Sequence, residues 1–320
     1  MPRLSVLKTY KLAIDGKFPR SESGRTLVIT DASGAVLAHA SRASRKDLRE
    51  AVEAARRAQP AWAGLTGATT AYLRGQILYR AAEMLEARRA EFVDLIAAAP
   101  AAVLRAKAAP ARGASAKAGP RAAGAPQAAA SSRRAAEEEV SLSIDRLVHY
   151  AGWADKYSQV LGCHNPVAGP HYNFTVPEPT GVVGVIAPDD LPLLALISLI
   201  APPLCAGNTV VAFGSQSNPM VPAVLGEIFL TGDVPAGVVN ILTGERAELL
   251  PHFSKHREID AIHAAGLSQA EETLVREGIA ENLKRVTIRT GDLRESAACE
   301  SPWWIEPFVE MKTIWHPAGV

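Results

Sequence analysis

The chain has 320 residues, 48% of them hydrophobic, with 34 Lys and Arg against 33 Asp and Glu and a formal net charge of +1. That length builds one large or two ordinary domains with real cores, and the near-balance of charge excludes a global electrostatic pull toward nucleic acid or an anionic membrane. The three cysteines, Cys163, Cys205 and Cys299, lie far apart with no CxxC or Cys/His cluster, which argues against a disulfide framework or zinc site and for reduced thiols in the cytoplasm.

In chain order, the opening MPRLSVLKTYKLAIDGKF lacks the apolar stretch of a secretory leader. Tyr10 to Ile14, Leu27 to Ile29 and Val36 to Ala40 alternate with Asp-Gly and Ser-Gly turns, which predicts a small β-meander. Ser44 to Asp47 has the form of a capping box ahead of a helix reaching about Ala58. Thr70 to Ala97 carries Leu73, Ile77, Ala81, Leu85 and Phe92 at helical spacing, predicting one amphipathic helix with its arginines and glutamates on a solvated face. Residues 98–136 are Ala, Pro, Gly, Arg and Lys with almost no large apolar side chain. Such a tract buries too little to offset ordering its backbone, so a disordered insertion is expected. It serves either as a solvated linker or as a basic tether through residues such as Arg105, Lys107 and Arg112. A helix then begins at Glu137, with Val140, Ile144, Leu147 and Tyr150 as its apolar side. The aromatic, β-branched stretch 165–176 is expected to form an extended hairpin arm.

The stretch from Thr180 to Pro219 organises the remainder. Val182 to Ile186 and Val210 to Phe213 are apolar strands flanking an apolar helix, Leu191 to Leu204, in the pattern of a parallel βαβ crossover. With three prolines and insufficient length to span a bilayer, that run is a core helix and not a membrane segment. Further alternation follows: helix 219–230, strand 238–242, helix 245–255, strand 259–263, helix 268–280 and strand 286–288. The result is an α/β, Rossmann-like parallel sheet of about five strands with flanking helices, plus the small β arm. Residues 292–307 look irregular, and Phe308 to Trp315 alternates as a last strand.

Several short matches in the right order make the chain resemble the aldehyde dehydrogenases. They are Lys11 to Lys17, Ala51 to Arg56, Tyr150 to Lys156, Glu178 to Gly184, Ala206 to Val211 and Val234 to Asn240, with Phe308 to Trp315 similar to the family's closing oligomerisation strand. The resemblance implies an NAD-binding-type domain over 1–97 and 137–291 with its arm at 165–176, and an oligomerisation strand within 308–320. The family's thiol-bearing catalytic domain has only residues 292–307 in its place. Cys299, the one cysteine there, lies outside any match to the nucleophile motif and without the positioned, activating surroundings a thiolate needs.

The resemblance also locates the family's chemistry on positions that differ here. Pro188-Asp189-Asp190 stands for proline, tryptophan and the asparagine that donates to the oxyanion, and a carboxylate cannot donate. Phe213 to Gln216 replaces the lysine-containing stretch that holds the adenine ribose, leaving Ser215 and Gln216 as partial remnants. Ala264 to Leu267 meets the pyrophosphate position with Gly266 kept and the hydroxyls gone. Arg289-Thr290-Gly291-Asp292 replaces the general-base glutamate and reverses its charge.

The expectation is therefore a catalytically inactive aldehyde dehydrogenase-like protein, similar to the degenerate second half of the long tandem members, working by assembly with itself or with an active relative. No catalytic residue and no metal ligand is assigned. No cofactor is expected, NAD or NADP being the class if one binds through Gly266, Ser215 and Gln216, and neither nucleic acid nor membrane is an expected partner. The alternative keeps an NAD(P)-binding oxidoreductase or nucleotide sensor that uses other residues, among them Asp189, Asp190 or Cys299; against a metal or base role, Asp190 precedes Leu191-Pro192 as a helix cap would.

Overall fold

Val182 to Ile186 and Thr209 to Phe213 are apolar at nearly every position, as strands covered on both faces must be. Both are buried throughout, and they pair in parallel across the helix Leu194–Cys205. The structure, a computed structural model, describes residues 6–30, 34–98 and 125–318, without the side chains of 125–131.

The N-terminal part holds β1 (Thr9–Tyr10), β2 (Thr26–Thr30) and β3 (Val36–Ser41), then α1 (Arg45–Trp62), α2 (Ala71–Ala87) and α3 (Arg89–Ala97). The middle holds α4 (Ala125–Trp153), α5 (Tyr157–Leu161), β4 (Cys163–Asn165), β5 (His171–Pro179), β6 (Val182–Ile186), α6 (Leu194–Cys205) and β7 (Thr209–Phe213). After these come α7 (Met220–Thr231), β8 (Val239–Leu242), α8 (Arg246–Lys255), β9 (Ala261–Ala265), α9 (Gln269–Glu277), β10 (Arg285–Arg289), α10 (Ser296–Cys299) and β11 (Val309–Pro317). The central sheet is all parallel in the order β10-β9-β6-β7-β8. Alternate residues of its strands face opposite layers: Val183, Val185 and Val210 pack with α2, α4, α6 and α7, whereas Val182, Ile186 and Val211 pack with α1, α8 and α9. The α/β sheet with flanking helices is thus as expected.

Four local expectations are corrected. The first three strands are not a meander, because β1 pairs in parallel with β3 and the chain beyond it bonds from Ala13 to Ile241 of β8, drawing the N-terminus across the main sheet. The predicted single helix 70–97 breaks at Arg88, which leaves helical ψ while its guanidinium reaches Glu91 and Glu227. Its polar side is also not wholly solvated: Arg74 is buried and donates to the carbonyls of Trp62 and Cys205, at the ends of α1 and α6. The helix expected from Glu137 starts at Ala125, because alanine extends an existing helix at little cost once the amphipathic part has nucleated it. Residues 99–124 of the predicted insertion lie outside the described residues.

Residues 292–307 are more ordered than expected. Leu293, Cys299 and Ile305 are buried, and the segment contains α10 and two short 3₁₀ turns. The final strand pairs antiparallel with β5 over its whole length, giving the arm sheet β11-β5-β4. The Thr180 amide donates to the Phe308 carbonyl and the Ala318 amide to the Pro170 carbonyl. By the antiparallel alternation, even-numbered residues of β11 turn their backbone groups toward β5 and odd-numbered ones turn outward. Among the described residues, no strand pairs with that outer edge.

Candidate functional site

In an open parallel sheet, ligands bind beyond the carboxyl ends of strands where the winding reverses. Here the reversal falls between β6 and β9. A cleft of about 470 Å³ lies there, between the loops after β6, β9 and β10. Gly266 is on its wall with φ +64°, and a Cβ at this residue would come within 2.6 Å of the Pro188 Cβ. Glycine is required by both the left-handed backbone and the close approach.

Ser215 and Gln216 do not join Gly266. The Ser215 hydroxyl is buried and donates to the Asp189 carbonyl, while the Gln216 amide donates to Asp189 Oδ1 at 2.8 Å. Gln216 Oε1 in turn accepts from the backbone N–H of Arg246, the first residue of α8. All three groups therefore stitch the loops after β6 and β7 to a helix start. Gln216 instead borders a separate hollow of about 280 Å³ beside Leu27 to Thr30. Asp189 is a fastening for this turn, and its carboxylate lies 3.6 Å from the Arg246 guanidinium.

Asp190 is not the cap of α6. Leu191 takes φ +53°, the helix begins three residues later than expected, and the amides of Leu193 and Leu194 both donate to Glu139 Oε1 at 2.9 and 3.2 Å. Glu139 comes from α4, and its burial pushes its carboxyl above the usual range. Glu139 thus supplies the acceptor for two amides that the helix start would otherwise leave open beside the cleft.

Glu139 opens a polar stripe whose first three members the sequence reading does not single out, Tyr150 being placed there on the apolar side: Glu139, Ser143, Arg146 and Tyr150 recur at four-, three- and four-residue spacing and all are buried. That spacing was the available signal. Arg146 donates to Ser198 Oγ at 2.6 Å, to the Leu293 carbonyl at 3.2 Å and to Glu300 Oε1 at 3.3 Å. The Tyr150 hydroxyl donates to the Cys299 carbonyl at 2.6 Å. The stripe anchors residues 293–300 over α6. Cys299 is enclosed in this packing, and burial raises its thiol pKa.

Arg289, on the cleft wall, has an uncommon set of partners. Its Nε donates to Nε2 of His263 at 3.0 Å, and its guanidinium lies over the Trp304 ring at 4.0 Å. His263 is wholly buried, and its Nδ1 is 2.8 Å from the Leu199 carbonyl. A carbonyl only accepts, so Nδ1 carries the proton and Nε2 is free to accept from Arg289. Burial, reinforced by the Arg289 charge, holds this imidazole neutral. Arg289 Nη2 is buried with no hydrogen-bond partner.

Above Gly266, the start of α9 is closed by its own capping box, with the Glu271 carboxylate accepting from the Ser268 amide at 2.7 Å. Among the described residues, no cluster of His, Cys, Asp and Glu could hold a metal ion, and no helix is long and apolar enough to cross a membrane.

The aldehyde dehydrogenase family profile matches residues 18–118 and 122–294. The chain is 30% identical to retinal dehydrogenase 2 of Mus musculus, over 91% of this chain and 50% of that protein. It is 29% identical to the cytosolic 10-formyltetrahydrofolate dehydrogenase of the same organism, over 90% of this chain and 29% of that protein. An aldehyde dehydrogenase from Bacillus cereus solved as its NAD+ complex superposes with a TM-score of 0.73 at 26% identity, covering 88% of this chain and 51% of the other. The chain thus spans about half, or less, of the length of these relatives. Because the profile takes in both sides of the crossover as well as the arm, and the parallel sheet superposes on that of a solved member, the chain belongs to the aldehyde dehydrogenase family.

Proposed function

We propose that this chain is a catalytically inactive aldehyde dehydrogenase-like protein whose role is assembly, with a second copy of itself or with an active member of the family. The observation that carries this reading is the open edge of β11. Met311, Thr313 and Trp315 turn their amides and carbonyls outward, and Met311, Ile314 and Trp315 leave large apolar surface exposed. An unpaired, apolar edge of this length is a ready template for another strand.

The cleft residues support the absence of family chemistry. Asp190 and Arg289 occupy the positions that the resemblance gives to an oxyanion donor and a general base, and neither side chain suits that task. The interval at 292–307 offers the buried Cys299 as its one thiol. Cofactor retention is opposed by the use of Ser215 and Gln216 as internal fastenings and by the self-capped start of α9. A cytoplasmic setting suits three free cysteines.

A second reading, an NAD(P)-binding oxidoreductase or nucleotide sensor, rests on the cleft retained beside Gly266. Light scattering alone and after co-expression with full-length family members, run with calorimetric titration of NAD and NADP, separates the two. Assembly without nucleotide heat is the expected outcome. A protein monomeric at micromolar concentration under both conditions overturns the assembly role, and micromolar nucleotide binding moves the second reading to the front.

A further inference from the structure

The Arg289 guanidinium is half-buried, yet its polar partner is a neutral imidazole and its face rests on an indole. Among the described residues, no carboxylate lies within ion-pair distance of it, in contrast to Arg146, which meets Glu300, and Arg246, which lies near Asp189 and Glu271. A desolvated charge without a counter-charge is costly, and an orphaned buried donor beside it adds to the cost. An anion supplied from the cleft would provide the missing counter-charge.

We propose that the cleft beside Gly266 binds a small monocarboxylate with an apolar body, its carboxylate taken by Arg289. The size fits, since about 470 Å³ is within the range of small-molecule sites. Leu191, Leu267, Ile288 and Leu293 supply apolar wall for the body of the ligand. The His263 bond fixes Nε and the Trp304 stack fixes the plane, so the part of the guanidinium that lines the cleft is held in one orientation for a carboxylate.

Charge limits the class. Asp190, Glu272 and Asp292 also line the cleft, together with Arg294, which is taken up by Asp292 at 3.6 Å, and the nearby start of α9 already carries the Glu271 carboxylate, so acids outnumber the remaining bases. A single negative charge satisfies Arg289, whereas a phosphate dianion or pyrophosphate brings its second charge against these acids. The inference goes beyond the assembly role and holds whether or not the chain associates.

The test is calorimetric titration of the whole chain with sodium benzoate, followed in parallel by tryptophan fluorescence and amide hydrogen exchange, with inorganic phosphate and NAD as the other two titrants. Benzoate is expected to bind saturably, to perturb the Trp304 emission and to protect amides at 265–267 and 289–294. Arg289→Met should weaken binding at least about tenfold, the loss of one charge-assisted contact, and Arg289→Lys should fall between. Should Arg289→Met fail to fold, the protection pattern of the unsubstituted chain decides the matter. The proposal is overturned by no saturable binding up to about 10 mM, a concentration that would detect even a millimolar site. It is equally overturned by undiminished binding to folded Arg289→Met, by protection confined to other residues, or by phosphate or NAD binding in preference to benzoate.

Discussion

Replacing Arg146 by methionine tests whether residues 293–300 are held over α6 as a working part of the fold. The methionine keeps much of the apolar stem and removes the three donors that reach Ser198, Leu293 and Glu300. Their losses are unequal. Ser198 Oγ still donates to the Leu194 carbonyl, and Glu300 is 23% exposed and can turn to water, so the group left without a partner is the Leu293 carbonyl. An orphaned buried acceptor costs about 1–3 kcal/mol, and each bond from a charged donor contributes about 1.5–3 kcal/mol. Against these stands relief from keeping a wholly buried guanidinium out of water. We expect a net loss of about 2–3 kcal/mol, read from urea denaturation followed by circular dichroism, with an unchanged slope. Limited proteolysis should cut first within 293–300. Coupling to Glu300→Gln in a double-mutant cycle should stay near or below about 1 kcal/mol, because that partner is partly solvated. A variant within about 0.5 kcal/mol of the parent, with no new cleavage in the segment, would refute the anchoring.

Lys284 is buried with its Nζ on the His256 carbonyl, and desolvation lowers its pKa from 10.5 to about 8. Between those values the unfolded chain binds a proton that the native one does not, so stability should rise with pH across that window by at most about 3 kcal/mol; Lys284→Met, measured by denaturation from pH 7.5 to 10.5, should lack the rise, and parallel curves would contradict it. Of the three free thiols only Cys163 is exposed, and burial raises the pKa of both Cys205 and Cys299. A thiol reagent should label Cys163 quickly and the others only on unfolding, whereas fast labelling of Cys299 in the native protein would show it open and reactive. Gly266→Ala should lower the denaturation midpoint by the equivalent of about 2 kcal/mol or more, since it meets both the left-handed penalty and the Pro188 Cβ; an unchanged midpoint would mean the turn relaxes freely.

Helix caps show the limit of local reasoning. Ser44 and Asp47 form the expected capping box at the start of α1, because the bonds of the box itself run between residues no more than three apart, although Ser21 and Glu22 join both side chains from a distance. The start of α6 offers an equally plausible local cap in Asp190, yet the amides go to Glu139, 54 residues away from Leu193. Both carboxylates satisfy the same physics, and only packing of α4 against α6 decides between them.

The sequence alone determined the alternation of strands and helices, the parallel sheet and the arm, while the positions of family chemistry came from the resemblance of its short motifs. Those features depend on apolar periodicity and turn residues within a window of a few residues. Tertiary structure decided what the polar side chains do. It separated Gln216 from Gly266, turned Asp189 into a loop fastening, buried Arg74 and Arg146, and set Arg289 between His263 and Trp304. A polar group in the interior takes whichever partner the fold brings within about 3 Å, however distant in the chain, and periodicity carries no record of that choice.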